Sequence, residues 1–237
     1  VIQVFDSPED LASAAADEFI EIASQYIQEN GVFTVGLSGG STPKRMYEIL
    51  ADEYLDALDW SRVKFFFGDE RYVPAQDPNS NEGMARRTLL DKIPESQRNV
   101  YGMYLPGEGP LDAAIAYEAL LERHLGRVRP SLNLLFLGLG ADGHTLSLFP
   151  GELSVHRTDR LVIPAKAPVG VTDRISLTVP FALQSSVIRF LVAGQEKTAA
   201  LAECLYGTYD LDVTPSQAFG QSDHPNLEIW TDIDLPE

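Results

Sequence analysis

The chain has 237 residues, 44% of them hydrophobic and 22% charged, which allows a substantial buried core. With 35 acidic against 18 basic residues the formal net charge is −17, a surface that repels nucleic acid and anionic membrane and argues against both as partners. The single cysteine, Cys204, excludes an intrachain disulfide, makes a Cys-based zinc site untenable and fits a cytoplasmic protein; no apolar run reaches the ~18 residues of a membrane span.

Val1 to Asp6 carry no basic region and no long apolar run, so no secretory signal is expected there. Ser7-Pro8-Glu9-Asp10 then reads as a helix start, with Ser7 as N-cap, Pro8 in the first turn and acids at the positive dipole end. That helix is predicted to stop at Asn30-Gly31. A buried strand follows over 32–37, a helix from Ser41 to near Tyr54, and a strand over 63–67 that ends at Gly68. Helices are predicted over 81–90 and 111–125, and the clearest buried strand over 132–137. Further strands are expected at 160–163, 174–178, 187–192 and 227–231, and helices at 180–185 and 197–206.

No repeat, low-complexity tract or long linker divides the chain, so residues 1–237 are read as a single domain. Strands apolar on both faces, alternating with helices, predict a three-layer α/β/α fold around a mainly parallel, Rossmann-like open sheet. Ligands of such sheets gather at the carboxyl ends of the strands. The polar, glycine-rich segments 36–43, 68–74 and 138–150 fall there, which points to one composite site.

In the first segment, Gly39 and Gly40 let backbone N–H groups converge, and Ser41 and Thr42 open a helix whose N-terminus favours an anion. No Gly-Lys-Ser/Thr follows, so it is not a Walker A loop. A phosphate cradle and a tight turn capped by Ser and Thr are both open on local physics. In the second segment, Asp69, Glu70 and Arg71 could orient a sugar hydroxyl or bind phosphate, or form a surface ion-pair cluster; Ser80-Asn81 lies beyond.

The third segment holds a Gly-x-Gly-x-x-Gly pattern at Gly138, Gly140 and Gly143, but lacks the helix start and distant acid of a dinucleotide fingerprint. Its Asp142–His144 pair suits proton transfer near neutral pH, with Asp142 orienting the imidazole; a loop histidine bonded to backbone is the plainer alternative. His124, His156 and His224 read as surface residues, and no histidine pair has metal-ligand spacing, so no metal is expected. Arg174 and Lys197 sit near strand ends, where either could reach a phosphate or remain a solvated cation.

Taken in order, the segments Gly-Leu-Ser-Gly-Gly-Ser-Thr-Pro (36–43), Gly-Asp-Glu-Arg-Tyr-Val-Pro (68–74), Ser80-Asn81, Gly-Leu-Gly-Ala-Asp-Gly-His-Thr (138–145), Ser-Leu-Phe-Pro-Gly (147–151), Arg-Ile-Ser (174–176) and Gly-Gln-Glu-Lys (194–197) resemble the family of 6-phosphogluconolactonases and glucosamine-6-phosphate deaminases. They span the chain nearly end to end. Leu146 stands where the resemblance leads one to expect a small residue such as Ala. The deaminases carry a Glu five residues past the His, where this chain has Phe149, and Asp-Glu-Tyr where it has Asp69-Glu70-Arg71. Both departures favour the lactonase.

The resemblance therefore implies a phosphorylated sugar lactone as substrate and hydrolysis without metal or organic cofactor. It implies His144 as the base that activates water, with Asp142 holding its tautomer. The phosphate would sit on the backbone from Gly39 to Thr42, clamped by Arg71 and Lys197, with Arg174 assisting there or at a sugar hydroxyl; Asp69 and Asn81 complete the expected binding set. A cytoplasmic monomer or weak homodimer is expected. The rivals are an isomerase or deaminase of the same fold and a sugar-phosphate sensor; the latter leaves no room here for a DNA-binding helical module.

Overall fold

The structure is a computed structural model and describes residues 1–94 and 99–235. Its main sheet has six parallel strands in the order β1-β9-β8-β5-β2-β3, where β1 is Ile2–Val4, β2 Phe33–Leu37, β3 Val63–Phe67, β5 Leu134–Gly138, β8 Val187–Val192 and β9 Leu227–Thr231. A second sheet, β4-β7-β6, is antiparallel and joins Asp69–Arg71 (β4), Asp173–Leu177 (β7) and Val162–Lys166 (β6). The segments of β6 and β7 thus lie outside the main parallel sheet expected from the sequence, and β1 and β4 are strands that the sequence does not predict.

The helices form where the caps direct them. In α1 (Pro8–Asn30), the Ser7 hydroxyl accepts the Asp10 N–H at 3.1 Å, and Gly31, at φ 77°, returns its N–H to the Ile27 carbonyl. The others are α2 (Ser41–Glu53), α3 (Asn81–Thr88), α4 (Pro110–Leu125), α5 (Val179–Ala182), α6 (Thr198–Tyr206) and α7 (Gln217–Gly220). No described helix is long and apolar enough to cross a membrane.

Adjacent residues of β3 show how the layers stack, because successive side chains of a strand point to opposite faces. Phe65 stacks on Trp60, which in turn meets Phe19 of α1. The next residue, Phe66, stacks on Tyr101 and approaches His124 of α4. Phe19 also packs on Phe33 and Phe136 and is fully buried. Burying such a ring contributes roughly 2–3 kcal/mol. β2 is buried at all five positions, as a central strand covered on both faces must be.

From β2 the chain winds outward one way to β3, and from β5 the other way through β8 and β9. The ends of β2 and β5 thus flank the switch point, where the following loops diverge and leave a crevice. The second sheet closes one side of it. Gly68 joins the sheets, donating its N–H to the Leu37 carbonyl and accepting from Leu177 N–H, both at 2.9 Å.

Candidate active site

A cleft of about 280 Å3 opens at that switch point, walled by the loops after β2, β5 and β8 and by β4 and β7. The candidate residues from the sequence line it except Asp142, which stands behind His144, and Glu70, which is buried away from it.

The loop after β2 is pinned from beneath. Tyr47, buried on α2, donates its hydroxyl to the Ser38 carbonyl at 2.8 Å and accepts the Ser38 N–H at 3.1 Å. Gly40 begins α2 at φ 107°, a conformation that L side chains rarely adopt. No side chain caps this end, and the first-turn N–H groups of Ser41 and Thr42 have no intrahelical acceptor. Both residues line the cleft at the positive end of the helix dipole, an arrangement that favours negative charge.

β4 delivers Asp69 and Arg71 to the cleft, while Glu70 between them turns inward. Its carboxylate accepts from Asn81 N, Glu82 N and Ser80 Oγ at 2.7, 2.8 and 3.0 Å, capping α3. Burial raises the Glu70 carboxyl, and although these hydrogen bonds oppose the shift, it is left pushed up to about 7. The anchored Asn81 donates Nδ2 to the Asp69 carbonyl and fills the space beside Gly39, where a Cβ would lie 2.1 Å from Asn81 Oδ1. The buried Asp69 carboxylate accepts the Ser147 hydroxyl at 2.5 Å.

Arg71 and Arg174 are register partners across β4 and β7. Each is held by one carbonyl, Arg71 by Asn79 O and Arg174 Nε by Val171 O, both at 2.8 Å. Lys197 enters at the start of α6. Among the described residues none of these three cations has a carboxylate within salt-bridge distance. Burial lowers Arg174 from its ordinary value, and the like charge of Arg71 adds to that. Burial also lowers Lys197, against the pull of Glu196 and Asp232. These cations give this side of the cleft its positive charge.

On the β5 side, His144 Nδ1 lies 2.5 Å from Asp142 Oδ1, which also accepts the His144 N–H at 3.2 Å. Burial acts to raise the Asp142 carboxyl, but the hydrogen bond and charge of His144 outweigh it and hold it below the ordinary value. An ionised Asp142 only accepts, so in the neutral imidazole Nδ1 carries the proton and Nε2 keeps a free lone pair. No helix starts inside this loop; its Gly140 is instead the space the dyad occupies, since a Cβ there would lie 2.1 Å from His144 Nδ1.

Three neighbours of the site have no site role in the sequence reading. Leu146, at φ 54°, projects into the cleft from a turn closed by Leu148 N–H on Thr145 O, and packs over Gly68. Ser147 ties that turn to Asp69. Phe149 lays its ring on His144. All lie in the segment that carried the resemblance, but no periodicity marks them. Of the remaining histidines, His156 is exposed and bonds Asp212, whereas His124 and His224, read as surface residues, are half-buried against Tyr101 and the Ser185 carbonyl.

Residues 6–229 match the family described as glucosamine-6-phosphate isomerases/6-phosphogluconolactonase. The chain belongs to this family. Family members similar to it include the 6-phosphogluconolactonase of a Nostoc strain, 35% identical over 91% of this chain and 89% of that protein. Another is the 6-phosphogluconolactonase of a Synechocystis strain, 39% identical over 76% of this chain and 74% of that one. Among solved structures, the 6-phosphogluconolactonase of Trypanosoma brucei superposes with a TM-score of 0.85 at 28% identity, covering 98% and 95% of the two chains. A monomeric glucosamine-6-phosphate deaminase shares the fold, with a TM-score of 0.79 at 21% identity over 97% and 96%.

Proposed function

We propose that this protein is a 6-phosphogluconolactonase, hydrolysing the δ-lactone of 6-phosphogluconate to the open acid in the oxidative pentose phosphate pathway. The observation that carries the reading is the pairing, in one cleft, of an anion site with a His–Asp dyad. Three cations, none with a carboxylate partner among the described residues, line the cleft together with an uncapped helix N-terminus in a chain of net charge −17. A dianionic phosphate supplies what that arrangement lacks.

With the phosphate on Ser41 and Thr42 and clamped by Arg71, Lys197 and Arg174, the lactone ring extends toward His144. Nε2 takes a proton from water as the water oxygen attacks C1. The tetrahedral intermediate collapses, the bond from C1 to the ring oxygen breaks, and the imidazolium returns its proton to that oxygen. The acid product then ionises to solvent. Asp142 stabilises the imidazolium without itself being protonated. Water is the only co-reactant, and acid–base help of ~10²–10⁴-fold with positioning is the scale required. The isomerase/deaminase alternative is disfavoured because an apolar ring, Phe149, and not a second carboxylate, packs on His144.

The test generates the lactone in situ from glucose 6-phosphate with its dehydrogenase and reports 6-phosphogluconate with a second dehydrogenase. A rate above spontaneous hydrolysis, proportional to added protein, supports the proposal. Turnover of glucosamine 6-phosphate with no lactone hydrolysis sinks it.

A further inference from the structure

Phe149 is 5% exposed, yet it stands outside the continuous apolar core. Its ring meets two polar side chains of the cleft instead. The His144 imidazole lies with its centroid 4.5 Å away and its plane tilted by 36°. The central carbon of the Arg174 guanidinium lies 5.7 Å from the same ring centroid. Both are within the range where the electron-rich face of an aromatic ring attracts a cation.

Among the described residues, each of those side chains has one other anchor near its working end. Asp142 fixes His144 through Nδ1, and a single hydrogen bond leaves an imidazole free to pivot about it. Val171 O fixes Arg174 at Nε and leaves the terminal nitrogens free to swing. A ring packed against both removes the remaining freedom of each. We infer that Phe149 is a positioning residue: one aromatic side chain that sets the imidazole plane of His144 and the guanidinium of Arg174 relative to each other. This rests on the reading of His144 as the base and Arg174 as a substrate contact.

The choice of a ring matters chemically. When His144 takes up a proton, Phe149 faces two cations at once and can attract both without neutralising either. A carboxylate at the same place would pair with both, holding the imidazolium back and spending the charge of Arg174 before the phosphate arrives.

The experiment compares F149L, F149M and F149Y with the native protein, reading kcat, KM and Tm, and records the His144 ring proton resonances. Turnover by the native protein tests the lactonase reading by itself. The role of Phe149 is then read from the variants, and from the resonances even without turnover. F149L and F149M are expected to lose roughly 3- to 10-fold in kcat and to raise KM by a similar factor. F149Y, which keeps the ring face, is expected to recover both to within about twofold. In an R174A background F149L is expected to raise KM no further. The His144 ring protons should lose their ring-current shift in F149L. Kinetics of F149L within twofold of native, losses in F149Y equal to those in F149L, or unchanged His144 resonances would overturn the inference.

Discussion

Replacing Gly140 by alanine tests the dyad with a single methyl group. Gly140 has no left-handed φ, so the backbone tolerates a side chain there. The space does not: the new Cβ would lie 2.1 Å from His144 Nδ1, 2.2 Å from its Cε1 and 2.5 Å from Asp142 Oδ1. Non-bonded carbon contacts settle near 3.5–4.0 Å, so the imidazole must retreat by more than about 1 Å. A misplacement of ~1 Å costs on the order of 10²-fold in rate, or about 2.7 kcal/mol of barrier. The phosphate groups sit on other loops, so KM should change little. The expected result in the coupled lactone assay is therefore a kcat lower by about two orders of magnitude, with KM within a few-fold of native and a cooperative melt retained. G140A should also add almost nothing to H144A, because both disable one unit. A folded G140A that turns over within threefold of native would refute the steric argument and, with it, the placement of the dyad at the reacting bond.

H144A should lower kcat by about 10²–10⁴-fold with little change in KM, since the cleft cations are untouched; near-native turnover would remove His144 from the base role. D142N should lower kcat while leaving the fold intact, because an amide neither enforces the Nδ1–H tautomer nor stabilises the imidazolium; steady-state kinetics at fixed pH reads it directly. K197A and R71A should chiefly raise KM, and a KM unchanged in both would reject the phosphate clamp. For Glu70, the folded carboxyl near 7 lies above its ordinary value of 4.5, so the native state binds more protons between those values. Stability should then fall as pH rises from about 4.5 to 7 and level off above, by on the order of 3 kcal/mol at ~1.4 kcal/mol per pH unit; denaturant titrations of native and E70Q should show that slope only in the former.

The parallel core was legible because its physics is local. β2, β3 and β5 are short apolar runs with glycine or polar residues at their ends, and α1 carries its own caps. What escaped was set by distant partners. β1 is three residues long, with every residue on the exposed side, and is a strand because β9, more than 220 positions away, bonds to it. β4 reads Asp-Glu-Arg, with no apolar signature, and owes its strand geometry to β7. The site residues were legible as motifs, and their assembly followed from the rule that such loops gather at strand ends. The tie between Asp69 and Ser147 and the contact of Phe149 with Arg174 had no local signal at all.

The glycines show the same divide at the scale of one atom. Read along the sequence, they suggest backbone freedom, and at Gly40 that reading is right, for its φ of 107° starts α2. At Gly39, Gly68 and Gly140 the reason is different. Gly39 leaves the space taken by Asn81, Gly68 the space taken by Leu146, and Gly140 the space taken by His144 and Asp142, each with a side-chain atom within 3 Å of where a Cβ would stand. Gly39 and Gly68 are thus sockets for side chains of other segments, and Gly140 is a socket for its own dyad. A phosphate loop needs only one segment to be folded correctly. A cleft built by interlocking sockets needs all three at once, which is why the motifs must occur together in one chain for any of them to carry chemistry.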